Sequence, residues 1–197
     1  MNKYKRGLII GRFQPFHNGH LKLIEQVLEE CDELIVVIGS AQFNYLYKDP
    51  FTAGERIEMI HTTISFQRID HCKIFLIPLL NFENNACWLE YVKSMVPTFE
   101  IIYSGNEYVR YLSKKDTIVR EPIFLNKIEF NGENISKLIV NNEKWDDLVP
   151  IPVKGLIMNV GGIERIKVLS KSDTIPQKWW KNNAKKKRMS YLFKFWY

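Results

Sequence analysis

The stretch Gly11-Arg12-Phe13-Gln14-Pro15-Phe16-His17-Asn18-Gly19-His20 constrains this chain more than any other, because it joins an apolar strand directly to an amphipathic helix. Gly7 to Ile10 reads as a short buried strand. Leu21, Leu23, Ile24, Val27, Leu28 and Cys31 then recur at helical spacing, and Leu34 to Ile38 forms a second apolar run. Strand, helix and strand in that order make a βαβ unit. The turn after the first strand leaves backbone N–H groups unpaired at the positive end of the helix dipole, a place that favours an anion. Two imidazoles and a guanidinium fall at the same point, so the turn is a candidate phosphate site with His17, His20 and Arg12 as its catalytic candidates.

The alternation continues downstream. Thr52-Ala53-Gly54-Glu55 has the form of a capping box, and Ile57, Ile60 and Ile64 follow at helical spacing, so a helix is predicted to start near Thr52. Residues 73–80 read as a strand, 84–96 as a helix and 100–103 as another strand, the pattern of an α/β fold with a parallel sheet flanked by helices. After residue 126 the pattern turns mainly helical. Ligands of such sheets lie at the carboxyl ends of the strands. The segments 11–20, 39–42, 78–85 and 104–106 all follow strands and are expected to share one rim.

With 197 residues and 46% hydrophobic content, the chain suits a single α/β domain. Cys31, Cys72 and Cys87 are odd in number and irregularly spaced, which suggests neither a disulfide framework nor a zinc ligand set, and a reducing cytosol is the expected compartment. No signal peptide and no bilayer-spanning stretch is predicted. The net charge of +6 is carried by the last stretch of the chain, where seven basic and no acidic residues lie between Pro176 and Tyr197. The rest is close to neutral, so the overall basicity says nothing about the catalytic part. Lys185 to Arg188, interleaved with Trp179, Trp180, Phe193, Phe195 and Trp196, are read as a solvated extension in preference to a nucleic-acid or membrane contact.

The pattern G-R-F-Q-P-x-H-x-G-H resembles the signature of the nucleotidyltransferase superfamily with the H-x-G-H motif, in the form found in archaeal-type nicotinamide-nucleotide adenylyltransferases. Further blocks agree with it: Ile38-Gly39-Ser40-Ala41-Gln42, Asp49-Pro50-Phe51-Thr52-Ala53-Gly54-Glu55-Arg56, Asn84-Asn85-Ala86-Cys87-Trp88, Tyr103-Ser104-Gly105-Asn106 and Gly162-Ile163-Glu164-Arg165-Ile166. The likeness runs from about Arg6 to Asp173. It implies a Rossmann-like nucleotidyltransferase domain over residues 1–173, helical from about residue 131, with a basic aromatic tail at 174–197. The implied reaction moves AMP from ATP to nicotinamide mononucleotide, giving NAD and pyrophosphate, with Mg²⁺ accompanying ATP. A homo-oligomer, with a ring-like hexamer as one form, is implied as well.

Carried onto this sequence, the resemblance makes His17, His20 and Arg12 the residues that bind the ATP phosphates and stabilise developing charge. Gly11 and Gly19 allow close approach; Phe13, with Phe16, is also read as packing, and Gln14 and Pro15 as shaping the turn. Ser40 and Gln42 belong to the second strand's rim, and Lys48 is placed against the mononucleotide or phosphates. Trp88 is implied to stack on the nicotinamide ring, with Asn84 and Asn85 nearby to hydrogen-bond the carboxamide or order the loop. Ser104, Gly105 and Asn106 follow the fourth strand, and Asn131, Gly132 and Lys137 open the late helix. The histidine pair lacks a third nearby ligand, so no protein-held metal is expected.

One block departs from the family. A run such as S-G-T-x-I-R usually opens the late helix, whereas this chain has Asn131-Gly132-Glu133-Asn134-Ile135-Ser136-Lys137. Asn131 still caps. Glu133 puts a carboxylate where the threonine stands, and Ser136 replaces the arginine, a loss on the order of 1.5–3 kcal/mol for a charge-assisted bond to phosphate. Lys137 compensates only in part, because one helical step of about 100° turns it away. The alternatives are another phosphorylated substrate, such as pantetheine phosphate or FMN, and a degenerate nucleotide-binding protein with weak turnover. The absence of G-x-G-x-x-G argues against a dehydrogenase.

Overall fold

The computed structural model describes residues 3–82, 84–113, 117–123 and 130–172. The first βαβ unit consists of β1 (Tyr4–Gly11), α1 (Asn18–Glu30) and β2 (Cys31–Ile38). β3 (Ile74–Pro78), β4 (Ile101–Tyr103) and β5 (Ile118–Arg120) complete a sheet of order β3-β2-β1-β4-β5, with every pairing parallel. The order reverses at β1, which has β2 on one side and β4 on the other. In a doubly wound sheet that switch point opens a crevice beyond the strand ends.

Both faces of the sheet are covered, which is why its central strands read as unbroken apolar runs. On one face Ile9, Leu34, Val36 and Ile38 bury against Ile24 and Val27 of α1, Met59 and Ile60 of α2 (Ala53–Phe66), and Ile135 of α5 (Gly132–Val140). Ile157 of α6 (Ile151–Asn159) and Ile166 of α7 (Gly162–Ser172) extend that layer. On the other face Leu8, Ile35, Val37 and Ile102 meet Leu89 and Val92 of α3 (Trp88–Met95) and Val109 of α4 (Glu107–Ser113). No helix among the described residues is long and apolar enough to cross a membrane.

The expected elements appear with local adjustments. Thr52 caps α2 in a reciprocal capping box with Glu55, as its sequence predicts. The helix expected over 84–96 begins only at Trp88, because the Asn84 side chain accepts from the Ala86 N–H and tightens Asn85–Cys87 into a 3₁₀ turn. The strand expected over 73–80 is trimmed to Ile74–Pro78 by another 3₁₀ turn, capped by Asp70. β5 has no counterpart in the sequence reading: it is three residues long, with no alternation to detect. The expected tail at 174–197 lies outside the described residues.

Buried polar anchors set the shape of the rim. Arg56 is fully buried, and its guanidinium donates to the carbonyls of Arg12 (2.9 Å), Gly39 (2.8 Å), Ser40 (3.2 Å) and Thr52 (3.2 Å). Burial pulls its pKa down and neighbouring Asp49 opposes the fall. The Gln14 side chain pairs in both directions with the backbone of Phe51, donating to its carbonyl at 2.7 Å and accepting from its N–H at 2.9 Å. From α7, Arg165 forks onto Glu55 at 2.7 and 2.9 Å and stacks 4.4 Å over the Tyr45 ring. The capping box of α2 is thereby tied to the far end of the domain.

Replacing Arg56 by methionine is expected to cost about 3 kcal/mol or more, because buried carbonyls lose a charged donor and Asp49 loses a counter-charge. Urea unfolding checks this, with Lys93→Ala at the exposed Lys93–Glu90 pair as a control expected to change stability by less than about 1 kcal/mol. Equal midpoints for Arg56→Met and the native chain would refute the assignment.

Candidate active site

A cleft of about 670 Å³ opens at the carboxyl ends of β1 and β4. Arg12, Phe13, His17 and His20 form one wall, Ser104, Gly105 and Asn106 another, and Asn131, Gly132 and Glu133 a third; Lys48 reaches in from the loop after β2. A second cleft of about 390 Å³ includes Gly11, Ser40, Asn81, Asn85, Trp88 and Tyr108. Ile10, Arg12 and Asn106 border both. The site thus consists of two adjoining compartments that meet where Arg12 stands.

The histidines owe their position to helix capping. His17 is the N-cap of α1 in extended conformation, and its Nδ1 accepts from the His20 N–H at 3.3 Å. His20 Nδ1 in turn accepts from the His17 N–H at 3.2 Å. The rings stack with centroids 3.5 Å apart, and Phe13 and Phe16 support His20 at 4.6 and 5.5 Å. An Nδ1 that accepts a backbone hydrogen bond carries no proton, so each neutral ring keeps its proton on Nε2. Burial pushes the His17 pKa down to about 4; burial and then the charge of His17 hold His20 well below the usual range. Both rings are therefore neutral Nε2–H donors on the wall of the first cleft.

Arg12 is half-exposed. Its Nη1 lies 3.5 Å from Asp49 Oδ1 and its Nη2 lies 3.8 Å from Glu133 Oε1, both beyond hydrogen-bond length. Ser40 adopts a positive φ of 52° and donates to Asn81 Oδ1 at 2.9 Å. Phe13 also has a positive φ, 53°, which turns the chain so that its ring packs under His20 while bordering the cleft.

Four predicted binding residues line neither cleft, each for a visible reason. Gly19 is small for packing: a Cβ there would stand 2.9 Å from Phe130 Cβ and 3.2 Å from His17 Nδ1. Gln42 is spent on the Asn81 backbone, whose N–H it accepts at 3.0 Å. Asn84 caps the turn before α3. Lys137 is exposed on α5, one step beyond buried Ser136 and away from the cleft walls. Gly132 does border the first cleft, but a Cβ there would come within 2.3 Å of the Gln14 carbonyl, so a backbone contact demands the glycine. Asn81, Tyr108 and Phe130 were missed. Asn81 lies in the strand-end segment 78–85, a signal that was present, whereas the others have no local mark.

Residues 8–148 match the cytidylyltransferase-like family. A nicotinamide-nucleotide adenylyltransferase from Pyrobaculum aerophilum is 41% identical over 177 residues, covering 89% of this chain and 99% of its own. Its counterpart from Methanococcus aeolicus is 44% identical over 169 residues, covering 85% and 96%. The chain belongs to the nicotinamide-nucleotide adenylyltransferase family. The family's Rossmann-like fold is shared by a bifunctional NMN adenylyltransferase/ADP ribose pyrophosphatase from Francisella tularensis complexed with AMP and a Mn ion (TM-score 0.74, 19% identity). That match covers 92% of this chain and 56% of the larger protein. A nicotinic acid mononucleotide adenylyltransferase of Plasmodium falciparum complexed with APC gives a TM-score of 0.58 at 14% identity, covering 82% and 98%.

The buried histidines give this family member a defined pH response. Between the ordinary histidine pKa of 6.5 and about 4, the unfolded chain takes up protons that folded His17 refuses. Stability therefore falls as pH drops through that window, by up to roughly 3 kcal/mol from His17. Urea titrations at pH 7 and pH 4.5 are expected to show a smaller loss in His17→Asn, which keeps a capping acceptor. Identical losses in both proteins would contradict a neutral buried His17.

Proposed function

We propose that the chain transfers the adenylyl group of ATP to nicotinamide mononucleotide, forming NAD and pyrophosphate. The observation that carries this reading is the pair of clefts meeting at Arg12. The first combines neutral N–H donors with Arg12 and Lys48, which suits a polyphosphate; the second combines Trp88 with the amides of Asn81 and Asn85, which suits a pyridine carboxamide. Two substrates so placed bring their phosphates together beside one guanidinium.

The mononucleotide phosphate oxygen attacks the α-phosphorus of ATP in line, the bond from that phosphorus to the bridging oxygen breaks, and pyrophosphate leaves with the electron pair. No side chain needs to act as nucleophile. Orientation and positive charge are the protein's contributions. The Nε2–H groups of His17 and His20 donate to phosphate oxygens, and Arg12 meets the charge that builds between the two compartments. Neutral imidazoles suit this role because their donors face the phosphates without the cost of burying two adjacent cations. Mg²⁺ is proposed to accompany the nucleotide substrate; bound to the phosphates, it would offset their charge.

The reading includes a cytoplasmic site of action, which suits three free cysteines of which Cys72 and Cys87 are exposed. It also includes a homo-oligomer, a point that sedimentation checks directly.

Pyrophosphate release with ATP and Mg²⁺, assayed against a panel of phosphorylated acceptors, tests the activity: nicotinamide mononucleotide is the expected acceptor, and turnover only with pantetheine phosphate or FMN would overturn it. His20→Ala is expected to lower kcat/KM by about 100-fold or more, the scale for removing a donor that meets developing charge. Near-native kinetics in that variant would remove His20 from the mechanism. Trp88→Ala is expected to raise KM for the mononucleotide about tenfold with little change for ATP, because lost base stacking is worth about 1–3 kcal/mol. An equal rise for both substrates would assign Trp88 to packing instead.

A further inference from the structure

Glu133 is the one residue of the α5 entrance that works against a phosphate site. It follows Gly132 at the first turn of the helix, its side chain is half-exposed on the cleft wall, and its Oε1 lies 3.8 Å from Arg12 Nη2. On the other side of the guanidinium stands Asp49, nine-tenths buried, whose Oδ1 lies 3.5 Å from Arg12 Nη1 and makes no hydrogen bond among the described residues. Arg12 is therefore flanked by two carboxylates at distances too long for hydrogen bonds. A buried carboxylate stands on one side, and an exposed one on a helix end stands on the other.

We propose that Glu133 makes the first cleft select a metal-complexed polyphosphate over a bare one. This rests on the adenylyltransferase reading above and adds a specificity-determining residue to it. A bare triphosphate entering between His17, His20 and α5 must displace Glu133 from Arg12 while enduring the repulsion of the same carboxylate. Once a divalent cation rides on the phosphates the sign of the encounter changes. Mg²⁺ keeps part of its water shell and is commonly held by one or two carboxylates together with substrate phosphates. Glu133 then faces a cation or its bound water, and Arg12 is released to the phosphate oxygens, whose paired acceptors match its planar fork. The neutral histidines contribute no selectivity of this kind, because an Nε2–H donates to a phosphate oxygen whether or not a metal is present. Of the acidic groups on the cleft wall, Glu107 is turned to solvent and lies 3.7 Å from Arg110, so Glu133 is the carboxylate that bears on Arg12 from within the cleft.

Calorimetric titration of ATP into the full-length protein, without mononucleotide so that no turnover occurs, separates the two nucleotide forms. In EDTA, Glu133→Gln is expected to bind ATP about five- to tenfold more tightly than the native protein, the scale for removing one like charge at a few ångströms near a solvated surface. With Mg²⁺ in excess the two proteins are expected to agree within about twofold, so the ratio of the two affinities collapses in the variant. An Arg12→Gln background is expected to halve the gain at least, because the displaced ion pair is already gone. Equal shifts in EDTA and in Mg²⁺, or no shift in either, would overturn the role of Glu133 while leaving the adenylyltransferase reading intact. Absence of ATP binding by both proteins in both conditions would overturn that reading and this inference with it.

Discussion

The site depends first on the buried guanidinium of Arg56. Three of the carbonyls it holds belong to the loops after β1 and β2, and the fourth belongs to the cap of α2, so one side chain fixes the relative positions of segments that meet nowhere else in sequence. A lysine would supply charge but not this fork of planar donors aimed at separate backbones. The arrangement is costly unless the charge is compensated, and Asp49 provides the compensation from within the same layer. Asp49 in turn lies 3.5 Å from Arg12 on the cleft wall, so an interior cation and a cleft-wall cation share one buried carboxylate.

Helix capping and ring protonation are set together in the two histidines. Their mutual capping satisfies backbone donors at the start of α1, and the same hydrogen bonds decide which ring nitrogen bears the proton. Serine or aspartate caps equally well but presents no second donor beyond the cap. An imidazole has two nitrogens that point in diverging directions, which allows one to hold the helix while the other faces the cleft. Burial completes the device by keeping both rings neutral at the pH of the cell.

The two clefts lie on either side of the end of β1. A flat parallel sheet with all connections on one side would leave the strand ends closed over by a continuous row of loops; the reversal of order between β2 and β4 separates those loops and leaves room on each side of the Gly11–Arg12 turn. α5 forms part of the wall of the first cleft and packs so close to the Gln14 carbonyl that Gly132 has no room for a Cβ.

Much of this architecture was legible in the amino-acid sequence because its causes are short-range. The apolar runs of β1 and β2, the helical spacing after His20 and the Thr52–Glu55 capping box each act over a few residues, and the structure contains all of them. The motif turn was legible for the same reason, since its histidines cap the helix they precede. The sequence could not show what distant segments do to one another. Gly19 reads as an opening for a ligand until Phe130 is seen against it, and Gln42 reads as a binder until the Asn81 backbone takes it, whereas the turning away of Lys137 by one helical step was legible beforehand. Asn84 is a local cap, which agrees with the loop-ordering role open to it from the sequence. By itself the sequence determined most of the elements, the parallel character of the sheet and the donor turn, because backbone periodicity and capping are local forces. Only the tertiary structure decided which polar groups reach the clefts and that Glu133 stands beside Arg12, because burial and charge proximity belong to the packed whole.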